Sequence, residues 1–327
     1  MKKKKVLILG VTGQDGSYAA ELFINKGYEV HGFIRKSSTS NTSNINQLIA
    51  NQKIFNKIFF LHSGDLLDLI SIDRVIREVR PDEIYNFADQ DHVRWSFDIP
   101  IYSFSTTSSS LIGIFEILKN YKQIKFFQPL SSNMFGLTRQ KTQDENSPIN
   151  PQSIYALGKT SAYYTCKLYR DVFGLKIYSA IFFNHESPRR PIEYVSRKIT
   201  NTAAKIFLQK TNKLYLGNIE TKIDWGYAED YVEAAWKIMQ LKNPTVMVIG
   251  TGKLYKIRDF LKFTFDYLNL DYRDYVHIDK KLFRPSATSY LKPNLTKAKK
   301  LINFKPKTDL FNLIKKMVKN DLEIEKN

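Results

Sequence analysis

A short apolar run that ends in three evenly spaced glycines restricts the fold of this chain more than any other feature. Residues 6–9 have the pattern of a buried strand in a parallel sheet, and a helix is predicted over about 17–26. Glycine lets a loop between them turn tightly and approach a dinucleotide diphosphate at the helix N-terminus. The alternative is a glycine-rich turn without a ligand. The loop residues predicted to bind a cofactor are Gly10, Gly13, Gln14, Asp15 and Gly16.

Apolar and amphipathic segments alternate along the first half of the chain. Further strands are predicted over 28–34, 58–62, 82–88, 125–130 and 175–183, and helices over 69–80, 105–120 and around 155. This alternation favours an α/β fold of the Rossmann type, a doubly wound parallel sheet with helices on both faces. We assign residues 1–183 to a nucleotide-binding domain to which 226–256 return. Residues 184–225 and 257–327 are assigned to a smaller, interleaved substrate-binding part.

Tyr155 and Lys159 have the spacing of a proton-transfer couple. Four residues apart on a helix, they lie one turn apart on one face. A tyrosine has a pKa of about 10, but a nearby ammonium favours the phenolate and brings that pKa toward neutrality. Ser131, after the fifth predicted strand, adds a hydroxyl. This set suits removal of an alcohol proton while hydride leaves for a nicotinamide, although an ordinary half-buried helix face is the alternative.

Two other loops are predicted to meet the cofactor. Where the second predicted strand ends, NAD-specific proteins usually carry an acid for the ribose hydroxyls. This chain has Arg35-Lys36 there, which suits the 2′-phosphate of NADP unless both are merely solvated charges. Asp65 and Leu66 follow the third predicted strand and are expected at the adenine end.

Composition argues against several other classes of protein. The net charge of +18 would suit nucleic acid, but lysines are scattered through every segment, which favours an anionic small substrate. The single cysteine, Cys166, excludes an internal disulfide framework, and His92 and His185 lack partners at metal-ligand spacing. No run of about 18 apolar residues occurs, and the N-terminal lysines are interpreted as a basic tail rather than a signal peptide. We expect a cytoplasmic protein without metal, membrane or nucleic-acid partners.

The glycine loop, the Ser131 segment and the Tyr155–Lys159 spacing together resemble the extended short-chain dehydrogenase/reductase superfamily. The segment Asn184-His-Glu-Ser-Pro-Arg-Arg190 resembles the one that marks GDP-mannose 4,6-dehydratases. The resemblance covers roughly residues 4–300. It implies an enzyme with tightly bound NAD or NADP that oxidises C4 of a GDP-hexose, eliminates water across C5 and C6, and returns the hydride to C6.

The resemblance also implies roles for individual residues. Tyr155 is the base, Lys159 tunes it and holds the cofactor ribose, and Ser131 replaces a family threonine that bonds the sugar 4-hydroxyl. The positions matched to GDP binding are Asn184, Lys198 and Arg284, with Val195 in the same motif as Lys198. The family arginine before Asp-Trp-Gly is Ile223 here, so its diphosphate contact is lost or moves to Lys222.

One departure bears directly on the reaction. The family segment Ser/Thr-x-Glu ends here in Asn133, an amide that cannot accept a proton near neutral pH. We therefore expect a 4-dehydrogenase that oxidises the C4 hydroxyl of a GDP-linked manno-configured sugar, GDP-mannose or a GDP-heptose, without dehydration. Such an enzyme needs an external oxidant, for which a 2-oxo acid is suitable. The alternatives are a 4,6-dehydratase with another base, a nucleotide-sugar epimerase, and a non-catalytic binding module, against which the intact Ser131–Tyr155–Lys159 set argues.

Two acids and one amide are further departures from the resemblance. Asp89 and Asp91 lie in a loop that in the family reads Ala-Gln-Ser-His. One of these carboxylates would replace the missing base, but we prefer the hypothesis that both acids recognise a different sugar. A carboxylate would then accept from an additional hydroxyl, such as that of a GDP-heptose, and Asp91 is predicted to bind the substrate. Asn44 replaces an arginine that meets the cofactor phosphate, which leaves NAD and NADP open. A homodimer or homotetramer, through helices of the nucleotide domain and the 37–46 loop, is expected from the resemblance.

Overall fold

Seven strands form one parallel sheet, which confirms the predicted α/β class. The computed structural model describes residues 3–37, 41–283 and 290–326. The strands of this sheet are β1 (Lys5–Leu9), β2 (Glu29–Ile34), β3 (Phe59–Ser63), β4 (Glu83–Asn86), β5 (Lys125–Ser131), β6 (Lys176–Phe182) and β11 (Val246–Ile249). Their order is β11-β6-β5-β4-β1-β2-β3, with every neighbouring pair parallel. The order reverses between β1 and β4, where doubly wound sheets open a crevice at the carboxyl ends of their strands.

Helices cover both faces of the sheet. They are α1 (Gln14–Asn25), α2 (Asn46–Ala50), α3 (Leu69–Val79), α4 (Trp95–Asp98), α5 (Pro100–Phe104), α6 (Ser110–Leu118), α7 (Ile154–Asp171), α8 (Val195–Phe207), α9 (Ala228–Met239), α10 (Ile257–Tyr267), α11 (Thr296–Ile302) and α12 (Leu310–Lys326). Because side chains alternate along a strand, Val6 and Ile8 join one apolar core while Leu7 and Leu9 join the other. The first core includes α1 and α9, and the second includes α3, α6 and α7.

Three pairs of short strands lie outside the main sheet. They are β7 (His185–Glu186) with β10 (Gly226–Tyr227), β8 (Leu214–Leu216) with β13 (Val276–Ile278), and β9 (Lys222–Asp224) with β12 (Leu254–Lys256). A buried ion pair joins α8 to α12, with the Arg197 guanidinium 2.5 Å from an Asp321 carboxylate oxygen. Thr200 donates to the other oxygen of Asp321 at 2.6 Å, so both carboxylate oxygens of this buried aspartate have a partner.

Two helices differ from their predicted bounds. Helix α1 begins at Gln14, three residues earlier than predicted, and Gly16 lies inside its first turn. The predicted helix over 105–120 opens with a π-helical segment, Ser105–Ser109, before α6. There the Ser110 hydroxyl donates to the Thr106 carbonyl oxygen at 2.7 Å, a bond of the kind that competes with regular helical pairing.

Over residues 3–37, 41–283 and 290–326, no helix combines the length and apolar character needed to cross a membrane. Over the same ranges, no three His, Cys, Asp or Glu side chains are grouped so that they could hold a metal ion.

Candidate active site

Helix α7 carries the proton-transfer couple into the crevice. Ser153 caps the helix by accepting a hydrogen bond from the Ala156 amide at 3.1 Å. Tyr155 and Lys159 are both buried, with 8% and 4% of their surfaces exposed. The Lys159 ammonium lies 5.8 Å from the centre of the Tyr155 ring and donates to the Pro129 carbonyl oxygen at 3.0 Å. The helix therefore presents a phenol and an ammonium side by side, next to the end of β5.

The end of β5 supplies the hydroxyl. Ser131 accepts from the Asn133 amide N–H at 3.2 Å, which starts a 3-10 turn over Ser132–Phe135. The Ser131 side chain also hydrogen-bonds the Tyr155 phenol, which favours the phenolate. Asn133 lies half-buried on the same turn. The structure thus brings together the four residues that we predicted to be catalytic.

Opposing effects act on the pKa of the Tyr155 phenol. Burial raises the pKa of Tyr155, and the nearby carboxylates of Asp89 and Asp91 raise it further. The Lys159 ammonium lowers this pKa, but not enough to offset the other two effects. Lys159 thus acts on the pKa of Tyr155 in the predicted direction, while the net shift from burial and all neighbouring charges is upward.

The two unusual acids occupy different environments. The Asp89 carboxylate lies 2.5 Å from the Lys159 ammonium, and both side chains are almost fully buried. Its other oxygen accepts from the Thr107 hydroxyl and from the Gln90 amide N–H. Asp91, by contrast, is half-exposed on the open side of the crevice. Asp89 is thus part of the interior of the site, whereas Asp91 is accessible to a substrate.

Asp91 belongs to a cluster that sequence reasoning missed. The Tyr194 hydroxyl donates to one Asp91 oxygen at 2.8 Å, and the Arg190 guanidinium lies 3.3 Å from the other. That guanidinium also lies 3.6 Å from the centre of the Tyr194 ring and 3.4 Å from the Glu186 carboxylate. Burial raises the pKa of Tyr194, and Asp91 raises it further. The only sequence signal for Tyr194 was its position directly before Val195.

The glycine loop is attached to the segment around His185. The Asp15 carboxylate lies 2.9 Å from His185 Nε2, while His185 Nδ1 lies 3.0 Å from the Phe183 carbonyl oxygen. Burial lowers the pKa of His185, but the Asp15 charge outweighs burial and the net shift is upward. Gln14 donates to the His185 carbonyl oxygen at 3.2 Å and accepts from the Ser187 hydroxyl at 2.8 Å. These two side chains thus connect α1 to the predicted substrate-binding part, which leaves backbone N–H groups for a ligand.

The glycine loop fits a diphosphate group. Gly10 has a φ of +78°, and a Cβ there would lie 2.6 Å from the Ala88 amide nitrogen. A Cβ on Gly16 would lie 2.2 Å from the Gly10 carbonyl oxygen, so the helix approaches the loop as closely as glycine allows. Gly13 caps α1 without any side-chain hydrogen bond, which leaves the first-turn N–H groups for an anion. Of the two sequence alternatives, this cradle favours the ligand-binding loop.

A cavity of about 500 Å³ lies at the place where the adenine end of a cofactor was predicted. Its charged lining residues are Arg35, Lys36, Asp65, Asp68 and Arg74. The predicted adenine neighbour Leu66 is buried next to this cavity's Asp65. The cations suit a 2′-phosphate and the carboxylates suit ribose hydroxyls, so the cavity accommodates an NAD(P)-type nucleotide.

The predicted substrate-binding residues have varied surroundings. Asn184 is exposed, while its carbonyl oxygen accepts from the Gly226 amide at 2.9 Å. Val195 begins α8 and Lys198 lies one turn later, where burial lowers the pKa of Lys198. Lys222 is exposed, with its ammonium 5.1 Å from the centre of the Tyr290 ring. Arg284 lies outside the described residues.

Asn44 also has a structural role. Its amide nitrogen donates to the Thr12 carbonyl oxygen in the glycine loop at 2.9 Å. Asn44, which the resemblance matches to a phosphate-binding arginine, therefore holds the glycine loop in place by a hydrogen bond to its backbone.

Comparisons with known proteins show what this chain is similar to. The family model of GDP-mannose 4,6 dehydratase matches residues 7–317. GDP-mannose 4,6 dehydratase 1 of Arabidopsis thaliana is 41% identical over 330 residues, covering 99% of this chain and 91% of the relative. The Homo sapiens GDP-mannose 4,6 dehydratase is 37% identical, covering 97% and 91%. Among solved structures, dTDP-glucose 4,6-dehydratase from Bacillus anthracis in complex with NAD has a TM-score of 0.84 at 20% identity, covering 99% of this chain and 98% of that one.

Proposed function

The chain belongs to the GDP-mannose 4,6-dehydratase family, and from this membership we propose that it is a GDP-sugar 4,6-dehydratase whose first step oxidises C4 of the sugar. The observation that carries the proposal is the convergence of Ser131, Tyr155 and Lys159 beside a glycine-rich nucleotide cradle. A manno-configured sugar, GDP-mannose or a GDP-heptose, is the proposed substrate. The relatives' names favour dehydration over the oxidation without water loss that Asn133 by itself favoured.

The first step uses the α7 couple. Tyr155, as phenolate, takes the proton of the sugar 4-hydroxyl while Ser131 orients that hydroxyl by hydrogen bonding. Lys159 stabilises the phenolate through its positive charge. When bound, the nicotinamide accepts the hydride from C4 and, in a dehydratase, returns it to C6.

The elimination step needs a group that removes the C5 proton. Asn133 is an amide and does not accept that proton. Asp89 is held by Lys159, Thr107 and a backbone amide, whereas half of the Asp91 side chain is exposed. We therefore assign removal of the C5 proton to Asp91. Its hydrogen-bonded neighbour Tyr194 is a donor for the departing 6-hydroxyl, so that the C5 proton and the C6 hydroxyl leave as water.

A second candidate is favoured by one observation, the amide at position 133. A 4-dehydrogenase would stop at the 4-keto sugar and leave the cofactor reduced. It would then require an external oxidant, such as a 2-oxo acid, for each turnover.

Product mass separates the two candidates. For GDP-mannose and a GDP-heptose, a dehydratase is expected to release a product lighter by one water with no net cofactor reduction. A product lighter by two hydrogens, with reduced cofactor accumulating, would instead establish the 4-dehydrogenase.

The Asp91→Asn variant tests the proposed base in the same assay. We expect loss of dehydration by about 10²-fold or more, while C4 oxidation continues and the cofactor becomes reduced. Asn133→Glu, which restores a carboxylate on the Ser132–Phe135 turn, is the matched variant. If Asp91→Asn still releases the dehydrated product at the parental rate, the base is another group.

A homodimer is the proposed assembly. Large apolar side chains are exposed on α6, on α7 and at the C-cap of α7, at Ile112, Leu157, Leu168 and Val172. The last three recur at helical spacing, so they form one stripe along α7 that a second copy would bury.

Leu168→Glu is expected to shift the mass measured by light scattering from dimer to monomer. Lys319→Glu adds the same carboxylate to an exposed site on α12 and is expected to leave the dimer intact. A dimer that persists in Leu168→Glu would place the contact elsewhere.

A further inference from the structure

Proton transfer by Tyr155 needs the charge of Lys159, yet the structure couples that charge to a carboxylate. We propose that Asp89 is a positioning residue that restrains the Lys159 ammonium and offsets its charge at Tyr155, and thereby sets the pH above which the enzyme works. This inference rests on the proposed function only in taking Tyr155 as the base. It assigns to Asp89 a task separate from binding the sugar and from removing the C5 proton.

The carboxylate is aimed at the lysine by its surroundings. One Asp89 oxygen accepts hydrogen bonds from the Thr107 hydroxyl and the Gln90 amide, the latter at 2.8 Å. The other oxygen has the Lys159 ammonium at 2.5 Å. Because one oxygen is fixed by two donors, the second cannot turn away from the lysine. Asp89 is therefore a built counter-ion rather than a surface charge that happens to lie close.

The lysine is restrained as firmly as the carboxylate. An ammonium has three donors, and Lys159 directs this group at Asp89 and at the Pro129 carbonyl oxygen, which is 3.0 Å away. Both the lysine and the aspartate side chains are at least nine-tenths buried, so water screens the pair little. The ammonium is thus held at the β5 side of the crevice, ready for the cofactor ribose.

The size of the electrostatic effect follows from the distances. Lys159 lies 5.8 Å from the centre of the Tyr155 ring. A unit charge at this range, with an effective dielectric constant of about 20, changes a pKa by about two units. A carboxylate in contact with the ammonium offsets a large part of this lowering of the Tyr155 pKa. Burial is the largest cause of the raised pKa of Tyr155, and Asp89 acts in the same direction, against the lowering by Lys159.

Several other charged or titratable groups lie near the Tyr155–Lys159 couple. The titratable and charged groups around it, from the loop after β4, the segment before α8 and α7 itself, are Asp89, Asp91, Arg190, Tyr194 and Cys166. Asp91 also raises the pKa of Tyr155, but it is half-exposed and paired with Arg190. The thiol of Cys166 has a pKa raised to about 12 by burial and stays neutral. Asp89 is therefore the dominant negative charge that a substitution can remove.

The test compares Asp89→Asn with the parent protein by two measurements. In the absence of cofactor and sugar, the near-ultraviolet absorbance of phenolate is titrated for each protein and for its Tyr155→Phe partner. The difference between the members of each pair isolates Tyr155. Its midpoint is expected to fall by about one to two pH units in Asp89→Asn. The acid limb of kcat/KM for C4 oxidation, which reports the free enzyme, is expected to move down by the same amount.

Two controls and a second variant complete the design. Asp98→Asn removes the same charge from an exposed position at the end of α4 and is expected to leave the Tyr155 midpoint in place. Asp91→Asn is expected to produce a smaller downward shift than Asp89→Asn. If Asp89→Asn does not fold, Asp89→Ser removes the charge with a smaller side chain and carries the same expected shift.

The outcomes separate the inference from the proposed function. An unchanged Tyr155 midpoint in the variant that folds would overturn the inference, whatever the enzyme does to a GDP-sugar. A lowered midpoint without turnover of either GDP-sugar would support the role of Asp89 and count against the proposed function.

Discussion

Tyr155→Phe is expected to lower kcat for oxidation of the GDP-sugar by about 10³-fold, because it removes the group that accepts the 4-hydroxyl proton. The phenol hydroxyl is hydrogen-bonded by Ser131 and lies beside Lys159, and the substitution deletes only this one oxygen. The ring remains packed in its buried position, so the free energy of unfolding should change little. Affinity for the GDP-sugar, measured by calorimetry, should stay within a few-fold of the parent value.

Tyr164→Phe provides the matched control for this variant. Tyr164 lies on α7 as well, but more than half of its surface is exposed. Its hydroxyl is far from the end of β5, and kcat should therefore be unchanged. A loss smaller than tenfold in Tyr155→Phe would mean that another group takes the proton, and our assignment of the base would be wrong.

Gly16→Ala is expected to have the largest effect on the nucleotide site. The new Cβ would lie 2.2 Å from the Gly10 carbonyl oxygen and 2.8 Å from the Val11 Cα, all backbone atoms that cannot rotate away. Helix α1 must then shift from β1, which we expect to lower the free energy of unfolding by about 3 kcal/mol. Displacement of its first turn should weaken cofactor binding by about 10²-fold. Denaturant unfolding and a fluorescence titration with NAD(H) and NADP(H) measure the two effects.

Gly13→Ala separates cofactor binding from folding. Its backbone, with φ −71° and ψ 174°, suits alanine, and the nearest atom to a new Cβ is 3.4 Å away. We expect the free energy of unfolding to stay within about 1 kcal/mol of the parent. Cofactor binding should still weaken, because the methyl group occupies the open side of the cradle. If Gly13→Ala bound the cofactor as well as the parent, the diphosphate would not lie on this loop.

The fold and the proximity of Ser131, Tyr155 and Lys159 could be predicted because both follow from local patterns. Each strand of the main sheet was marked by an apolar run, and strands β1 to β6 lie within two residues of their predicted bounds. Parallel strands bring their carboxyl ends to one edge, so Ser131 was expected near the Tyr155 helix once the topology was assigned. The start of α1 was missed because a glycine within the first turn looked like loop, although packing against Gly10 requires it there.

The contacts that shift the pKa values of the site residues could not be predicted from local sequence patterns. Asp15 and His185 are separated by 170 residues, and Tyr194 and Asp91 by 103. Asp89 and Lys159 become a pair only when β4 and β5 lie side by side and α7 packs over them. The amino-acid sequence by itself thus determined which groups the site contains, since strand, loop and helix signals depend on neighbouring residues. Only the tertiary structure decided which of those groups touch, because a charge's pKa depends on partners and burial that the chain assembles from distant segments.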